Sequence, residues 1–247
     1  MFISVITIIM IIIIMFLIDL LFPKFCLGCG YIGVYLCRSC QNKLKPIESD
    51  ICLYCKKPSL FGLTHHNCIN KLYVDGLVTI YYYNPILKKV IKNIKYRLAT
   101  EVWQEFYRII EPQIIKKLGF YKKLSPDFVM QPIPLSKIKY NERGFNQANL
   151  ISIFFQKFLH FPIINLLVRK REILSQAQVK SKKARYFNTR GVFAIKNKCR
   201  DAKFCVSNKN IILIDDVITS GSTVKEAARI LKKAGVKKVY VLALAKG

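Results

Sequence analysis

The chain has 247 residues, enough for one ordinary core and a small appendage, so two folded units are expected. Its 52% hydrophobic content is that of a globular protein, yet 41 Lys+Arg against 14 Asp+Glu give a formal net charge of +27, far beyond what solubility requires. Such a charge either meets a polyanion or reflects a general enrichment in Lys, Ile, Asn and Tyr that charges a surface without selecting a ligand.

Met1 to Ile18 is almost continuously apolar, broken only by Ser4 and Thr7, and Asp19 is the first charge. The length is marginal for a membrane span, which takes ~17 to 25 residues. A secretory leader would need a basic n-region and a small-residue cleavage site, and neither is present, which argues against secretion. If residues 1–23 insert, the Lys/Arg-rich remainder stays inside, leaving a cytoplasmic protein tethered to the inner face of the membrane. Otherwise the segment is an apolar helix covering other parts of the chain, or a start assigned too far upstream.

Seven of the nine cysteines lie between Cys26 and Cys68. Cys26-x2-Cys29, seven further residues, then Cys37-x2-Cys40 is the two-knuckle spacing that gathers four thiolates on one tetrahedral zinc. Cys52-x2-Cys55 then precedes His65, His66 and Cys68. His65-x2-Cys68 keeps the knuckle spacing, with His66 as the competing ligand. In a reducing setting paired knuckles are poorly explained by disulfides. Sites saturated by protein ligands leave no open position, so these zincs would be structural. Cys199 and Cys205 stand apart with no evident role.

Beyond about Leu72 the pattern changes. LVTIYYY (77–83) reads as a strand. PILKKVIKNIKYRL (85–98) has Pro at a helix start with Ile86, Leu87, Val90, Ile91 and Ile94 on one face, and 101–119 forms a second helix. DFVMQPIPL (127–135) is a short apolar strand ending in a Pro-x-Pro loop, followed by a helix over 146–159 capped by Asn146. IINLLVRKR (163–171) reads as a strand, and the polar, basic run 175–193 as a long excursion of the kind that serves as a lid. The final stretch, 210–247, gives a buried strand, a Gly/Ser/Thr loop and a helix with Val224, Ala227, Ala228 and Leu231 inward. Gly235 stops that helix and a second strand follows, making a βαβ unit that implies a parallel sheet.

The turn inside that unit carries the chemistry. Asp215 and Asp216 follow the strand IILI, and Thr219, Ser220, Gly221, Ser222 and Thr223 precede the helix. Small residues let backbone amides turn toward one anion, the hydroxyls add donors, and the helix N-terminus adds a favourable dipole. Two adjacent carboxylates beside such a loop can accept hydrogen bonds from vicinal sugar hydroxyls or hold a hydrated Mg2+. The bland reading is a βα turn in which one Asp caps the helix. The order of residues instead resembles the phosphoribosyl pyrophosphate signature of type I phosphoribosyltransferases.

With LIDLLFPKFCLGCG (17–30), the basic helix around Ile94, Lys95 and Tyr96, QPIPLSKIKYNERGFNQANLI (131–151) and the loop 175–193, the chain is similar to the ComF family of competence-related proteins over nearly all of residues 19–247. The resemblance implies an α/β fold, a type I phosphoribosyltransferase-like parallel sheet over 73–247 with an N-terminal double zinc ribbon over 24–72. It implies that Pro132 to Leu135 forms the pyrophosphate-side loop, that Arg143, Asn146 and Gln147 face the ligand, and that Gln176, Arg185 and Asn188 lie on a hood. Val179 and the run Lys182 to Ala184 depart from the usual hood pattern. Zn2+ is implied as a structural metal, with Mg2+ accompanying phosphoribosyl pyrophosphate or a related sugar phosphate.

Two functions follow as expectations. One is a binding protein of DNA uptake and natural transformation, with single-stranded DNA and DNA-uptake proteins as partners, since basic grooves interleaved with rings suit single strands. The other is an active phosphoribosyltransferase whose acceptor the sequence does not name.

Overall fold

The computed structural model describes residues 7, 9–10, 13–14, 17, 20–69, 73–94, 99–123, 128–170, 190–196 and 208–247. The chain divides into two compact units, Met1–Leu44 with Pro85–Ile109, and Lys45–Asn84 with Ile110–Gly247. The first four cysteines therefore belong to one unit, and Cys52, Cys55, His65 and Cys68 to the other.

In chain order the elements are α1 (Arg38–Gln41), a 3-10 turn (Leu60–Gly62), α2 (His66–Ile69), β1 (Gly76–Tyr82), α3 (Pro85–Ile94), α4 (Ala99–Lys122), β2 (Phe128–Pro132) and α5 (Lys137–Arg143). There follow α6 (Gln147–Leu159), β3 (Leu167–Arg169), β4 (Phe193–Ile195), β5 (Asn210–Ile218), α7 (Ser222–Lys233) and β6 (Lys238–Lys246). Lys95, Tyr96, Gln176, Val179, Arg185, Asn188, Cys199 and Cys205 lie outside the described residues, as does most of the apolar segment 1–19. The described part of that segment is helical where Ile9, Met10, Ile13, Ile14, Leu17, Leu20 and Leu21 are exposed. Among the described residues no helix is long and apolar enough to cross a membrane.

The larger unit is organised by a four-stranded sheet in the order β1-β6-β5-β2. Each neighbouring pair is parallel. Strands covered on both faces need apolar side chains at every position, which is why Ile211 to Ile214 and Val241 to Ala245 are continuous apolar runs. Alternate residues serve opposite faces. Ile211, Leu213, Val239, Val241 and Ala243 join Val224, Ala227, Ala228 and Leu231 of α7 in one core, together with Leu53. On the sheet's other side Tyr240 meets Tyr121 edge-on, ring centroids 5.5 Å apart. Helix α6 packs on β5 and β2.

Two features differ from the sequence expectation. The strand expected over 163–171 is only Leu167–Arg169, and it pairs antiparallel with β4 in a separate two-stranded ribbon. Helix α5 was not expected. Ser136 caps it by accepting the Lys139 amide, and Gly144 ends it in the left-handed region at φ 77. A seven-residue, mostly polar helix between a Pro-x-Pro loop and a Gly has too few apolar residues to display a period.

Gly62 sits at φ 68, and a Cβ there would collide with the Leu77 carbonyl oxygen on β1. Gly62→Ala is expected to lower stability by about 2 kcal/mol or more. Denaturant titration would read this as a lower midpoint at unchanged slope.

Candidate functional site

The four parallel strands all end at one edge of the sheet, the place where open α/β sheets offer a crevice for ligands. Strand β5 does not stop at Ile214. It continues through Asp215 and Asp216 to Ile218, because β6 runs beside it as far as the Ile218↔Lys246 pair. The acidic pair thus lies within the last turn of the strand, half-buried. Oδ1 of Asp215 accepts the Asp216 amide at 2.9 Å, and Oδ1 of Asp216 accepts the Val217 amide at 2.8 Å.

The loop that follows is made of small groups around one tight turn. Thr219 is exposed, Ser220 and Thr223 are half-buried, and Gly221 and Ser222 are buried. Gly221 is the N-cap of α7 at φ 73 and has no side chain of its own to cap the helix. The hydroxyls of Ser220 and Ser222 lie 2.7 Å apart. The Ser222 amide donates to Ser220 Oγ at 3.3 Å. A helix N-terminus dressed with hydroxyls instead of a capping carboxylate is chemistry suited to an external phosphate. Burial lowers the pKa of Lys225, one turn into α7, while the Cys52 thiolate favours its charged form.

A second group of polar residues lies at the start of α6. Asn146 caps the helix by accepting the Ala148 amide at 3.1 Å, and its Nδ2 donates to the Ile133 carbonyl at 2.9 Å. One side chain thereby fixes both the helix start and the loop after β2. Arg143 Nη1 donates to Gln147 Oε1 at 2.9 Å. Arg143 Nε and Gln147 Nε2 are buried without a hydrogen-bond partner among the described residues, and Gln147 is only 3% exposed. Buried donors are ordinarily paired, so among the described residues this segment keeps hydrogen-bonding capacity that a diphosphate could use.

Gln131 and Glu226 were passed over in the sequence. Gln131 Oε1 accepts the amides of Leu166 at 2.7 Å and Leu167 at 3.3 Å, which ties the β3 ribbon to β2. The signal available was a lone polar residue inside the apolar run FVMQP. Glu226 on α7 accepts the Gly191 amide at 2.7 Å and pairs with Arg229 at 2.7 Å. Burial pushes the Glu226 carboxyl up, but Arg229 and the Gly191 amide outweigh it and hold the group below the usual carboxylate range. Gly191 is the foot of the excursion expected as a hood.

The cysteines form two clusters, and their donor sets fit zinc. The sulfurs of Cys26, Cys29, Cys37 and Cys40 all lie within 4.8 Å of one another. Those of Cys29 and Cys37 are 3.5 Å apart. A tetrahedral zinc with bonds of about 2.3 Å sets thiolates about 3.8 Å apart. At Gly28 any Cβ would strike Cys40 Sγ, so this knuckle requires glycine. Within the same unit, Glu105 accepts the amides of Tyr35 at 3.1 Å and Leu36 at 2.7 Å and so braces the second knuckle of the pair. Burial pushes the Cys26 thiol up, but amide hydrogen bonds from Cys37, Cys29 and Gly28 outweigh it and bring it down to about 6. Burial, then hydrogen bonding with Cys26, pushes Cys40 up to about 12.

Cys52, Cys55 and Cys68 form the second cluster. His65 Nδ1 lies 3.2 Å from Cys55 Sγ, while its Nε2 is 3.0 Å from the Pro58 carbonyl. A carbonyl can only accept, so Nε2 carries the proton and Nδ1 keeps its lone pair toward the sulfurs. This is the arrangement in which an outer carbonyl fixes the tautomer of a metal-binding histidine. His66 is exposed on α2.

Residues 169–247 match the phosphoribosyl transferase domain family, and residues 17–69 match the double zinc ribbon domain family. The parallel sheet and the paired cysteine clusters thus define a protein with a phosphoribosyltransferase-type domain and an N-terminal double zinc ribbon. The chain is 32% identical over 209 residues to competence protein ComFC of Bacillus subtilis (strain 168), covering 81% of this chain and 79% of that one. It is 26% identical over 213 residues to competence protein F of Haemophilus influenzae, covering 85% and 90%. To DNA utilization protein YhgH of Escherichia coli (strain K12) it is 24% identical over 220 residues, covering 88% and 92%. The chain belongs to the ComF family.

His65→Ala is expected to weaken zinc at the second cluster by more than about tenfold in chelator competition, and His66→Ala to leave it unchanged. At the first cluster Cys26 is already a thiolate near pH 7 while Cys40 must lose its proton to bind metal. Zinc affinity there should therefore climb by at least about tenfold per pH unit through neutrality.

Proposed function

We propose that this protein binds phosphoribosyl pyrophosphate, or a related sugar phosphate, with Mg2+ at the β5–α7 turn, and that it serves DNA uptake. The observation that carries the ligand reading is the hydroxyl-bearing turn around Gly221 at the N-terminus of α7, preceded on β5 by Asp215 and Asp216. The amides and hydroxyls of Thr219 to Thr223 would hold the 5′-phosphate. The two carboxylates would meet the ribose hydroxyls or hydrated magnesium. The leftover donors of Arg143 and Gln147, on the segment joining β2 to α6, suit a diphosphate.

The role in DNA uptake is supported by the names of the relatives, two of them competence proteins and one a DNA utilization protein. Single-stranded DNA is the polyanion that the net charge of +27 would meet. The exposed apolar side chains near the N-terminus support a tether to the inner face of the membrane, with the body cytoplasmic.

Calorimetry with the zinc-loaded full chain and magnesium phosphoribosyl pyrophosphate tests the site. The native protein should bind, and the Asp215→Asn, Asp216→Asn double variant should bind at least about tenfold more weakly. Equal affinity in both, or binding in neither, removes the sugar-phosphate reading. For single-stranded DNA, roughly four phosphate contacts would cost about 50-fold in affinity between about 50 and 200 mM salt. A salt-insensitive interaction, or none, removes the DNA reading.

A further inference from the structure

Leu53 and Tyr54, the two residues inside the Cys52-x2-Cys55 knuckle, touch the phosphate loop and the helix behind it. Leu53 is fully buried, at 0% exposure, in the core that contains Val224, Ala227 and Ala228 of α7. A Cβ placed on Gly221 would stand 3.0 Å from Leu53 Cδ1, so the leucine abuts the backbone of the loop at its left-handed residue. The Tyr54 ring lies under the Lys225 ammonium, 5.0 Å from Nζ to centroid, and its hydroxyl accepts the Val74 amide at 3.0 Å. The Lys225 amide in turn donates to the Gly221 carbonyl at 2.9 Å, closing the first turn of α7.

These contacts are only as firm as the knuckle itself. A two-residue turn between cysteines has no core of its own, and its geometry is fixed when both flanking sulfurs share one ion with His65 and Cys68. Three thiolates and a neutral imidazole around a dication leave a single negative charge. That charge adds to the attraction of the Tyr54 face for Lys225.

We propose that Leu53 and Tyr54 are positioning residues for the loop Thr219–Thr223, held in place by metal at Cys52, Cys55, His65 and Cys68, so that metal occupancy and anion binding are coupled. The coupling to ligand rests on the sugar-phosphate reading above, whereas the positioning of the loop does not. Coupling between two sites is reciprocal, so the ligand must tighten the metal by the factor with which the metal tightens the ligand.

Amide hydrogen exchange on the full chain tests the positioning without any ligand. In Cys68→Ser, exchange across residues 219–225 should accelerate at least about tenfold while β6 stays protected. Cys29→Ser, which removes a ligand of the first cluster, should change neither segment. Unchanged loop exchange in Cys68→Ser with β6 intact overturns the proposal. If Cys68→Ser loses protection in β6 as well, Leu53→Ala and Leu53→Met, which keep every metal ligand, decide the matter. Alanine should accelerate loop exchange and methionine should restore it, and native-like exchange in the alanine variant overturns the proposal. Chelator competition then measures second-site zinc with and without saturating magnesium phosphoribosyl pyrophosphate. An increase of about tenfold, lost in Tyr54→Leu, is expected, and no increase in a protein that does bind the ligand overturns the coupling. Failure of the native, zinc-loaded protein to bind the ligand would instead remove the sugar-phosphate reading and with it the coupling, leaving the loop's positioning to the exchange result.

Discussion

Everything at the candidate site hangs on the parallel pairing of β5 with β6, continuous from Asn210↔Lys238 to Ile218↔Lys246. A parallel pair cannot be closed by a hairpin, so the chain must cross over through a helix, and that helix is α7. The crossover fixes where α7 begins, and its beginning is the phosphate loop. Because both strands are covered on both faces, neither can slip without moving apolar side chains wholesale. The loop backbone is therefore anchored on one side by nine residues of β5 and on the other by the buried face of α7.

The stretch 210–247 was readable because its physics is local and dense. Buried parallel strands must be apolar throughout, a crossover helix must present one small apolar face, and Gly221 and Gly235 mark its two ends. The cysteine spacings were readable for a similar reason, since four ligands at fixed intervals leave few geometries. Asn146 as a cap was legible too, although its second bond to Ile133 was not.

What escaped the sequence depended on partners far along the chain. The β3–β4 ribbon pairs residues on either side of the excursion, and no local pattern in LVR or FAI foretells that pairing. Gln131 carries no mark of its role in the strand run FVMQP, because its amide oxygen serves a backbone donor 35 residues away. His65 lies between Cys55 Sγ and the Pro58 carbonyl, a placement that spacing does not encode. The two cysteine clusters are neighbours in sequence, and Met1–Leu44 and Lys45–Asn84 fall in different compact units. The second cluster shares its unit with the sheet because Leu53 supplies part of the sheet's own core.

Helix α7 offers its first turn to the phosphate loop and, less than two turns further on, offers Glu226 to the Gly191 amide. The helix is rigid over that distance, and the Glu226 carboxylate is also held by Arg229 of the same helix. Whatever seats itself at the N-terminus of α7 therefore sits on the same lever that carries the foot of the 175–193 segment. A displacement of about one ångström at one end, the scale on which packed helices slide, would be felt at the other with no intervening relay of side chains.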